Sequence, residues 1–463
     1  MTKVFFPKKR FIALWLILFA NWLFAEQEKS EGLDTSARQE FSATIPEQNK
    51  TIVSGFTALE FGELEQGRYR IEPSGINHNW MGSGYLSLSV NSRISDYLST
   101  RGSVEFHVGY ETSPLNEIFD PTQAPPSKIV YITVPNAEGI FSFGNKGSAF
   151  FTLGVGLFEY KYNPQAQNLG EYLFRTGTYP AYILTSFDLP LARLAGAIAS
   201  CEIGGFLRQD LLLTTMNDIK PCMDFSLTYI VDASIGSALD IGAGVSFANL
   251  ISVMSDQTSV RNYMGNGYLK APGDTGYYTF QGTKLMGRVM FDPKKFFDAP
   301  FFGKEDGKLY VEAAVLGLES YPASNAIDLS NSSNTRGYDH LDQKIPVMMG
   351  FNIPTFKILD RAALEAEWYG CRYPIGTGQV VSNGYSVPSQ PSNDGYTWDD
   401  YKNDDWKWSI NVEKTILNRV SLIFQAARDH LKLETTIKKD ADYDDALAKN
   451  GHWYWMGKIK FNF

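Results

Sequence analysis

An alternation of apolar and polar residues, repeated along most of the chain, is the feature that most limits the fold. In the closing stretch GHWYWMGKIKFNF, every second residue counted back from Phe463 is apolar or small down to Trp453, and lysine, asparagine or histidine fill most of the places between. The same pattern recurs in WMGSGYLSLSV, SAFFTLGVGL, ALDIGAGVSF and VSLIFQAAR. A period of two places alternate side chains on opposite faces of a strand. The sequence therefore predicts many two-faced strands, each about ten residues long.

The connections between these segments alternate in length. Short connections are expected after residues 91, 143, 187, 233, 353 and 412, and long ones at 63–77, 112–127, 163–178, 251–276, 320–342, 373–404 and 431–450. Long loops on one side and tight turns on the other are typical of outer-membrane barrels. We therefore predict an all-β fold for residues 51–463, a transmembrane antiparallel up-and-down β-barrel of about sixteen strands (roughly 14 to 18) with both termini in the periplasm.

Closure of the barrel has a physical reason. A backbone N–H or C=O group left unpaired in hydrocarbon costs several kcal/mol, and an open sheet edge presents a row of them. A soluble β-sandwich would also alternate, but it would normally use short turns at both ends and would not need aromatic residues at its strand ends.

Aromatic residues at the expected strand ends predict two girdles at the membrane surfaces. The external girdle is predicted to contain Trp80, Tyr110, Tyr160, Tyr162, Trp406, Trp408, Trp453 and Trp455. The periplasmic girdle is predicted to contain Phe187, Phe291, Phe351, Phe461 and Phe463.

The first residues predict export. A basic start, MTKVFFPKKR, precedes the apolar run FIALWLILFANWLF and then Ala25, which is the pattern of a signal peptide over residues 1–25. Residues 26–50 are polar and without a periodic pattern, so we expect a flexible periplasmic lead-in rather than a small plug. The formal charge of −9 would become −13 on removal of Lys3, Lys8, Lys9 and Arg10, which disfavours nucleic acid as a partner.

With these features, the chain resembles the bacterial outer-membrane porins, and the segments NLGEYLFRTGTYP and GFNIPTFKILD resemble a large uncharacterised porin-like family. The resemblance implies an outer-membrane location in contact with lipid and lipopolysaccharide, and leaves both a homotrimer and a monomer open. It also implies that the terminal KIKFNF, with Phe461 and Phe463, is the signal read by the barrel-assembly machinery. In porins of this size, the third external loop folds inward and narrows the pore.

A barrel of sixteen strands leaves an aqueous lumen unless something fills it, so passive diffusion of small hydrophilic solutes is the predicted activity. The third loop would be residues 163–178, in which Glu171 and Arg175 lie four residues apart and would offer an acid and a base at the constriction. The other interpretation is an exposed loop ion pair. The inward alternates predict a lumen wall that includes Glu105, His107, Arg288, Glu312, Glu365, Glu367, Lys407 and Asp429.

The alternative function is a non-conducting barrel whose external loops bind a polysaccharide or a partner protein. Catalysis is not predicted, because the chain has five histidines but no G-x-S-x-G or metal-binding motif. No cofactor or metal is predicted, since the acidic stretch Asp440–Asp445 lacks the later glycine and glutamate of a calcium loop.

Overall fold

The structure, a computed structural model, describes residues 50–66, 79–112, 128–145, 148–175, 191–215, 224–251, 281–297, 300–318, 341–368, 406–430 and 451–463. These residues form sixteen strands and one short α-helix. The elements are β1 (Thr51–Gln66), β2 (Asn79–Arg93), β3 (Leu98–Thr112), β4 (Lys128–Asn145), β5 (Ser148–Tyr160), α1 (Tyr172–Arg175), β6 (Ala192–Ile203), β7 (Leu207–Thr215), β8 (Phe225–Ile235), β9 (Leu239–Ile251), β10 (Gly282–Phe291), β11 (Leu309–Val315), β12 (Val347–Asn352), β13 (Arg361–Trp368), β14 (Trp406–Ile416), β15 (Val420–Arg428) and β16 (Trp453–Asn462).

The strands form one closed barrel in which each strand pairs antiparallel with its neighbours along the chain. β1 pairs with β2 on one side and with β16 on the other, where Thr57 lies opposite Phe461. Next to this seam, Phe463 accepts a hydrogen bond from the N–H of Gly55 and donates one to the Gly55 carbonyl, both at 2.9 Å. The predicted up-and-down barrel of about sixteen strands is therefore confirmed.

The two faces of each strand differ in polarity, as β14 illustrates. Trp406 and Trp408 are 58% and 36% exposed, whereas Lys407 and Ser409 are 2% and 1% exposed. Along the other strands the exposed alternates are also mostly apolar, and they form the outside of the cylinder. A transmembrane barrel has this organisation, because its apolar side chains face the hydrocarbon of the membrane and its polar side chains face the interior of the barrel.

The connections define two ends of the barrel. The turn end carries the short hairpins at 94–97, 204–206, 236–238 and 417–419, together with the start of β1 and the end of β16. The opposite end, here called the loop end, carries the connection that follows β5, among others. The prediction of a short connection after residue 187 was wrong. β6 begins only at Ala192, opposite Tyr160, and the short hairpin in this part of the chain joins β6 to β7 at 204–206. Gly204 and Gly205 adopt φ of +58° and +70°, a conformation that tight hairpins need and glycine adopts without strain.

The predicted girdles are corrected at two positions. Tyr160 and Tyr162 face inward and are buried, because their hydroxyl groups bind Asp210 and Glu312 inside the barrel. Trp406, Phe351 and Phe463 are exposed, as the girdles require. The side chains of Trp80 and Tyr110, and all of Phe187, lie outside the described residues.

In the part of the chain that the structure describes, no helix is both long enough and apolar enough to cross a membrane.

Candidate functional site

Residues 161–175, here called the inner segment, run through the interior of the barrel. The segment leaves the wall at the end of β5, and its residues 167–169 bind Glu365 on β13, eight strands away in a ring of sixteen. Tyr162, two residues beyond the end of β5, already contacts Glu312 on β11, six strands away. The inner segment therefore connects opposite sides of the barrel wall.

The inner segment is polar in sequence and yet buried. Asn163 and Asn168 are each 2% exposed, and Leu169 and Tyr172 are fully buried. Buried polar groups must be hydrogen-bonded, since an unsatisfied one costs about 1–3 kcal/mol. The wall facing the segment supplies these partners, chiefly through carboxylates.

Glu312 on β11 is the first of these carboxylates. Its Oε1 accepts hydrogen bonds from the hydroxyl of Tyr162 at 2.6 Å and from the backbone N–H of Tyr172 at 3.1 Å. Its Oε2 accepts from Nδ2 of Asn163 at 2.6 Å and from the N–H of Glu171 at 3.1 Å. One side chain thus binds both the start of the inner segment and the start of α1. The two regions are held together by a single charged group.

Glu365 on β13 binds the tip of the inner segment. Its carboxylate accepts hydrogen bonds from three successive backbone N–H groups, those of Gln167, Asn168 and Leu169, at 2.6, 2.9 and 2.8 Å. The hydroxyl of Tyr310 donates a fourth at 2.9 Å. Consecutive N–H groups that converge in this way form a nest for an anion, and hydrogen bonds to an ionised acceptor are stronger than neutral ones.

Further contacts fix the segment on both sides of this tip. Asn168 donates from Nδ2 to Asp429 at 2.6 Å and to Ser409 at 3.1 Å. The hydroxyl of Tyr172 donates to Glu367 at 2.7 Å, and the other oxygen of Glu367 lies 2.6 Å from Nε2 of His430. The wall from β11 to the end of β15 therefore holds the inner segment through several carboxylates.

Glu171 lies inside the inner segment and is 1% exposed. Its carboxylate accepts hydrogen bonds from the backbone N–H groups of Asn163 and of Tyr162, and its own φ is +60°. Burial raises the pKa of Glu171, the Glu312 carboxylate raises it further, and Lys161 and the two N–H groups offset part of this rise, which leaves a pKa of about 8. Glu171 thus closes the segment on itself.

Arg175 is the last residue of α1, and its side chain lies outside the described residues. An ion pair between Glu171 and Arg175 therefore stays a prediction. Lys161 provides a positive charge close to Glu171 and donates from Nζ to the carbonyl of Ala166 at 2.6 Å.

The wall away from the inner segment carries acid–base pairs that are more accessible. Arg193 donates to Glu105 at 2.8 Å and to Glu159 at 3.3 Å, and its side chain is 27% exposed. His107 lies 3.2 Å from Glu105 and is also partly exposed. Arg193 and His107 differ from the buried carboxylates beneath the segment because they are partly exposed, although their partner Glu105 is itself buried.

Two more acid–base pairs lie on this side of the interior, and of their four side chains only Arg101, at 19%, is partly exposed. Nζ of Lys458 lies 2.9 Å from Glu60, which also accepts hydrogen bonds from Ser83 and Tyr85. Arg101 lies 3.3 Å from Glu138. Together with Glu105, Glu159 and Arg193, these two pairs carry a net charge of −1.

The structure separates the predicted wall residues into groups. Glu312, Glu365, Glu367 and Asp429 bind the inner segment, Glu105 and His107 belong to the accessible wall, Arg288 pairs with Asp232, and Lys407 is buried on β14. Sequence reasoning missed the partners Tyr162, Asn163, Asn168, Tyr172, Tyr310 and Arg193. Asn163, Asn168 and Tyr172 lie in the amide-rich stretch NPQAQNLGEY, which is equally typical of an exposed loop, and the other three lie outside it.

No group of three or more histidine, cysteine, aspartate or glutamate side chains within the described ranges is arranged to hold a metal ion.

Comparison with known proteins gives similarity in structure alone. No family model and no curated protein matches the sequence. A triple mutant of the Rhodopseudomonas blastica porin covers 89% of this chain and 100% of its own, with 8% identity and a TM-score of 0.42. OmpF of Salmonella typhi, in a complex with daunomycin, covers 90% of this chain and 98% of its own, with 8% identity and a TM-score of 0.41. The assignment of a closed barrel rests on the strand pairing described above.

Proposed function

We propose that this protein is an outer-membrane channel through which small hydrophilic solutes diffuse passively. The observation that carries the proposal is the division of the interior. The inner segment covers the wall from β9 to β15, whereas the side chains of Arg101, His107 and Arg193 remain 17–27% exposed on the other side. A polar, partly hydrated wall beside a fixed constriction is what diffusion of small polar solutes requires.

The proposal places the protein in the outer membrane after export by the signal peptide at residues 1–25, with the turn end and both termini in the periplasm. The apolar exterior supports a membrane location, and the short connections support the orientation, because periplasmic turns are short in such barrels.

In this proposal, Glu171 and Arg175 form part of the constriction. Glu171 contributes through the shape of the inner segment, since its carboxylate binds the segment's own backbone. The accessible wall contributes the charges that solutes meet. Its net charge of −1 in the named pairs favours a weak preference for cations.

The test is the conductance of the purified full-length protein in a planar lipid bilayer. We expect the current to increase in steps. In a salt gradient, we expect a reversal potential that indicates a weak preference for cations. The measurement is repeated with Arg175→Gln, which should change the step size or the selectivity, and with Glu171→Gln, which should differ from the wild type above pH about 8, where Glu171 loses its proton. Glu413→Gln, which alters a carboxylate paired with Arg361 near the turn end, is the matched control and should leave both unchanged. Protein that inserts and folds but never gives steps would overturn the proposal.

A further inference from the structure

The turn end carries an exposed group of aromatic, aliphatic and basic side chains on one arc of the barrel. They come from three connections, between β10 and β11, β12 and β13, and β14 and β15. We call this group the basic aromatic patch, and its members are Lys295, Phe296, Phe297, Phe301, Phe356, Lys357, Ile358, Leu417 and Arg419. Phe296 is 72% exposed and Leu417 87% exposed. Large apolar side chains this accessible need a partner surface.

A buried carboxylate organises the patch. Asp306 accepts hydrogen bonds from the N–H of Gly303 at 2.8 Å, the N–H of Phe356 at 2.9 Å and the hydroxyl of Thr355 at 2.9 Å. Burial works against the charged form, but these hydrogen bonds outweigh it and hold the pKa of Asp306 below its ordinary value. The connection after β10 is thereby tied to the connection after β12.

Ring packing strengthens the same junction. The ring of Phe302 lies 4.5 Å from that of Phe301 and 5.5 Å from that of Phe356, between centroids. A short 3-10 helix, Pro293–Phe296, begins at Asp292, whose side chain accepts from the N–H of Lys294. The rings of Phe301 and Phe356, both members of the patch, also stack on each other at 6.1 Å. The exposed side chains therefore project from an ordered base.

The patch is continuous with the exterior of the barrel that faces hydrocarbon. The rings of Phe296 and Phe291 lie 5.8 Å apart, and Phe291 shares the outer face of β10 with Val289, which is 42% exposed. Leu309 and Phe351 on the next two strands are exposed at the same level. The patch thus extends the lipid-facing surface past the strand ends, to the depth where headgroups lie.

The charges of the patch are complementary to an anionic surface. Lys308, in the connection after β10, and Lys414, near the end of β14, are held in ion pairs with Glu305 and Asp360. By contrast, Lys295, Lys357 and Arg419 extend into solvent. These three exposed cations lie beside the exposed aromatic residues of the same connections. Each such cation near an anionic membrane surface strengthens binding about fivefold.

We propose that the basic aromatic patch binds the headgroups of anionic phospholipids in the leaflet at the turn end. The phenylalanine and isoleucine side chains lie at the boundary between headgroups and acyl chains, and Lys295, Lys357 and Arg419 contact lipid phosphates. The proposal depends on the transmembrane placement of the barrel but not on conduction.

Electron paramagnetic resonance with spin-labelled lipids tests this proposal on the full-length protein reconstituted in phosphatidylcholine. Labelled phosphatidylglycerol should associate with the protein several-fold more strongly than labelled phosphatidylcholine, and the preference should decline with added salt. In Lys295→Gln/Lys357→Gln, the ratio of the two association constants should fall toward one. The matched control is Lys50→Gln/Arg93→Gln, which removes two cations from the same end beside β1 and β2 and should keep the wild-type ratio.

Two results would overturn the proposal: a wild-type protein without preference for phosphatidylglycerol, or a preference that survives in Lys295→Gln/Lys357→Gln. Heat-modifiable migration on gels establishes that every variant is folded. Glycerol phosphate in solution should not compete, since the proposed ligand is a membrane surface and not a free phosphate. Step conductance measured on the same samples separates a failure of this proposal from a failure of the proposed function.

Discussion

Replacement of Glu365 by glutamine should release the tip of the inner segment from the opposite wall. The carboxylate accepts four hydrogen bonds, two on each oxygen. An amide of the same shape keeps one oxygen and presents an NH₂ group in place of the other. With the NH₂ group at the oxygen that Gln167 and Tyr310 share, the hydroxyl of Tyr310 can turn and accept from it, but the N–H of Gln167 then faces another donor.

The cost follows from the burial of these donors. An unsatisfied buried donor costs about 1–3 kcal/mol, so the attachment of the tip should weaken by that amount. Since 1.4 kcal/mol corresponds to a factor of ten, the released population should rise at least about fivefold. The bonds to Glu312, Glu367 and Asp429 remain, so the segment is expected to move between attached and released positions.

Single-channel recording in a planar bilayer is the assay. Glu365→Gln should show greater current noise and additional open levels. Full release should raise the step, because the segment would then no longer narrow the lumen. Glu413→Gln, the same change beside Arg361, is the control and should keep the wild-type step. An identical step and identical noise in Glu365→Gln would refute the idea that this carboxylate holds the segment.

Three further predictions concern the segment, the packing and the closure of the barrel. Glu171 has a pKa of about 8 in the docked segment and the ordinary value of 4.5 in the released segment, so docking should be strongest in acid and should weaken as the pH rises to about 8. The current noise should therefore rise with pH, and Glu171→Gln, next to Glu312 and Lys161, should abolish this rise. A pH profile that is unchanged in Glu171→Gln would argue against the assignment. Gly350→Ala would place a Cβ 2.0 Å from the ring of Tyr310 and should destabilise the barrel by about 1–3 kcal/mol in thermal unfolding. Gly287→Ala is the control, because its Cβ would have no atom within 4 Å, and it should not destabilise the barrel. Equal melting temperatures for the two variants would contradict the packing around Gly350. Deletion of Phe463 removes both backbone hydrogen bonds to Gly55, whereas Phe463→Ala keeps them, so the deletion should lower the yield of folded protein in the membrane more. Equal yields would mean that the aromatic ring of Phe463, and not its backbone pairing with Gly55, determines the yield.

The barrel could be predicted because its determinants are local and repetitive. Trp406, Lys407, Trp408 and Ser409 alternate between hydrocarbon and the interior as their sequence pattern requires. The hairpin at Gly204–Gly205 was missed for a specific reason. It interrupts a long alternating stretch, and a proline-containing segment upstream offered a competing turn signal, although adjacent glycines are the stronger hairpin signal.

The contacts of the inner segment could not be predicted in the same way. Tyr160 and Tyr162 have the composition of girdle residues, and only partners 50 and 150 residues away turn them inward. The nest around Glu365 joins residues separated by almost 200 positions, and the backbone N–H groups that form it leave no trace in the identity of Gln167 or Leu169. The alternation of apolar and polar residues predicts whether a side chain of the wall points inward or outward. It does not predict which loop that side chain contacts.

Disulfide cross-linking across the lumen tests most directly whether the inner segment spans the barrel. Nδ2 of Asn168 lies 3.1 Å from Oγ of Ser409, 241 residues away along the chain. In a chain whose three native cysteines are replaced by serine, Asn168→Cys/Ser409→Cys should form an intramolecular cross-link on mild oxidation in the membrane, and the cross-linked protein should keep the wild-type step conductance. If no intramolecular cross-link forms while folded barrels are present, or if closing it abolishes a previously larger conductance, the inner segment does not cross the lumen in the working protein.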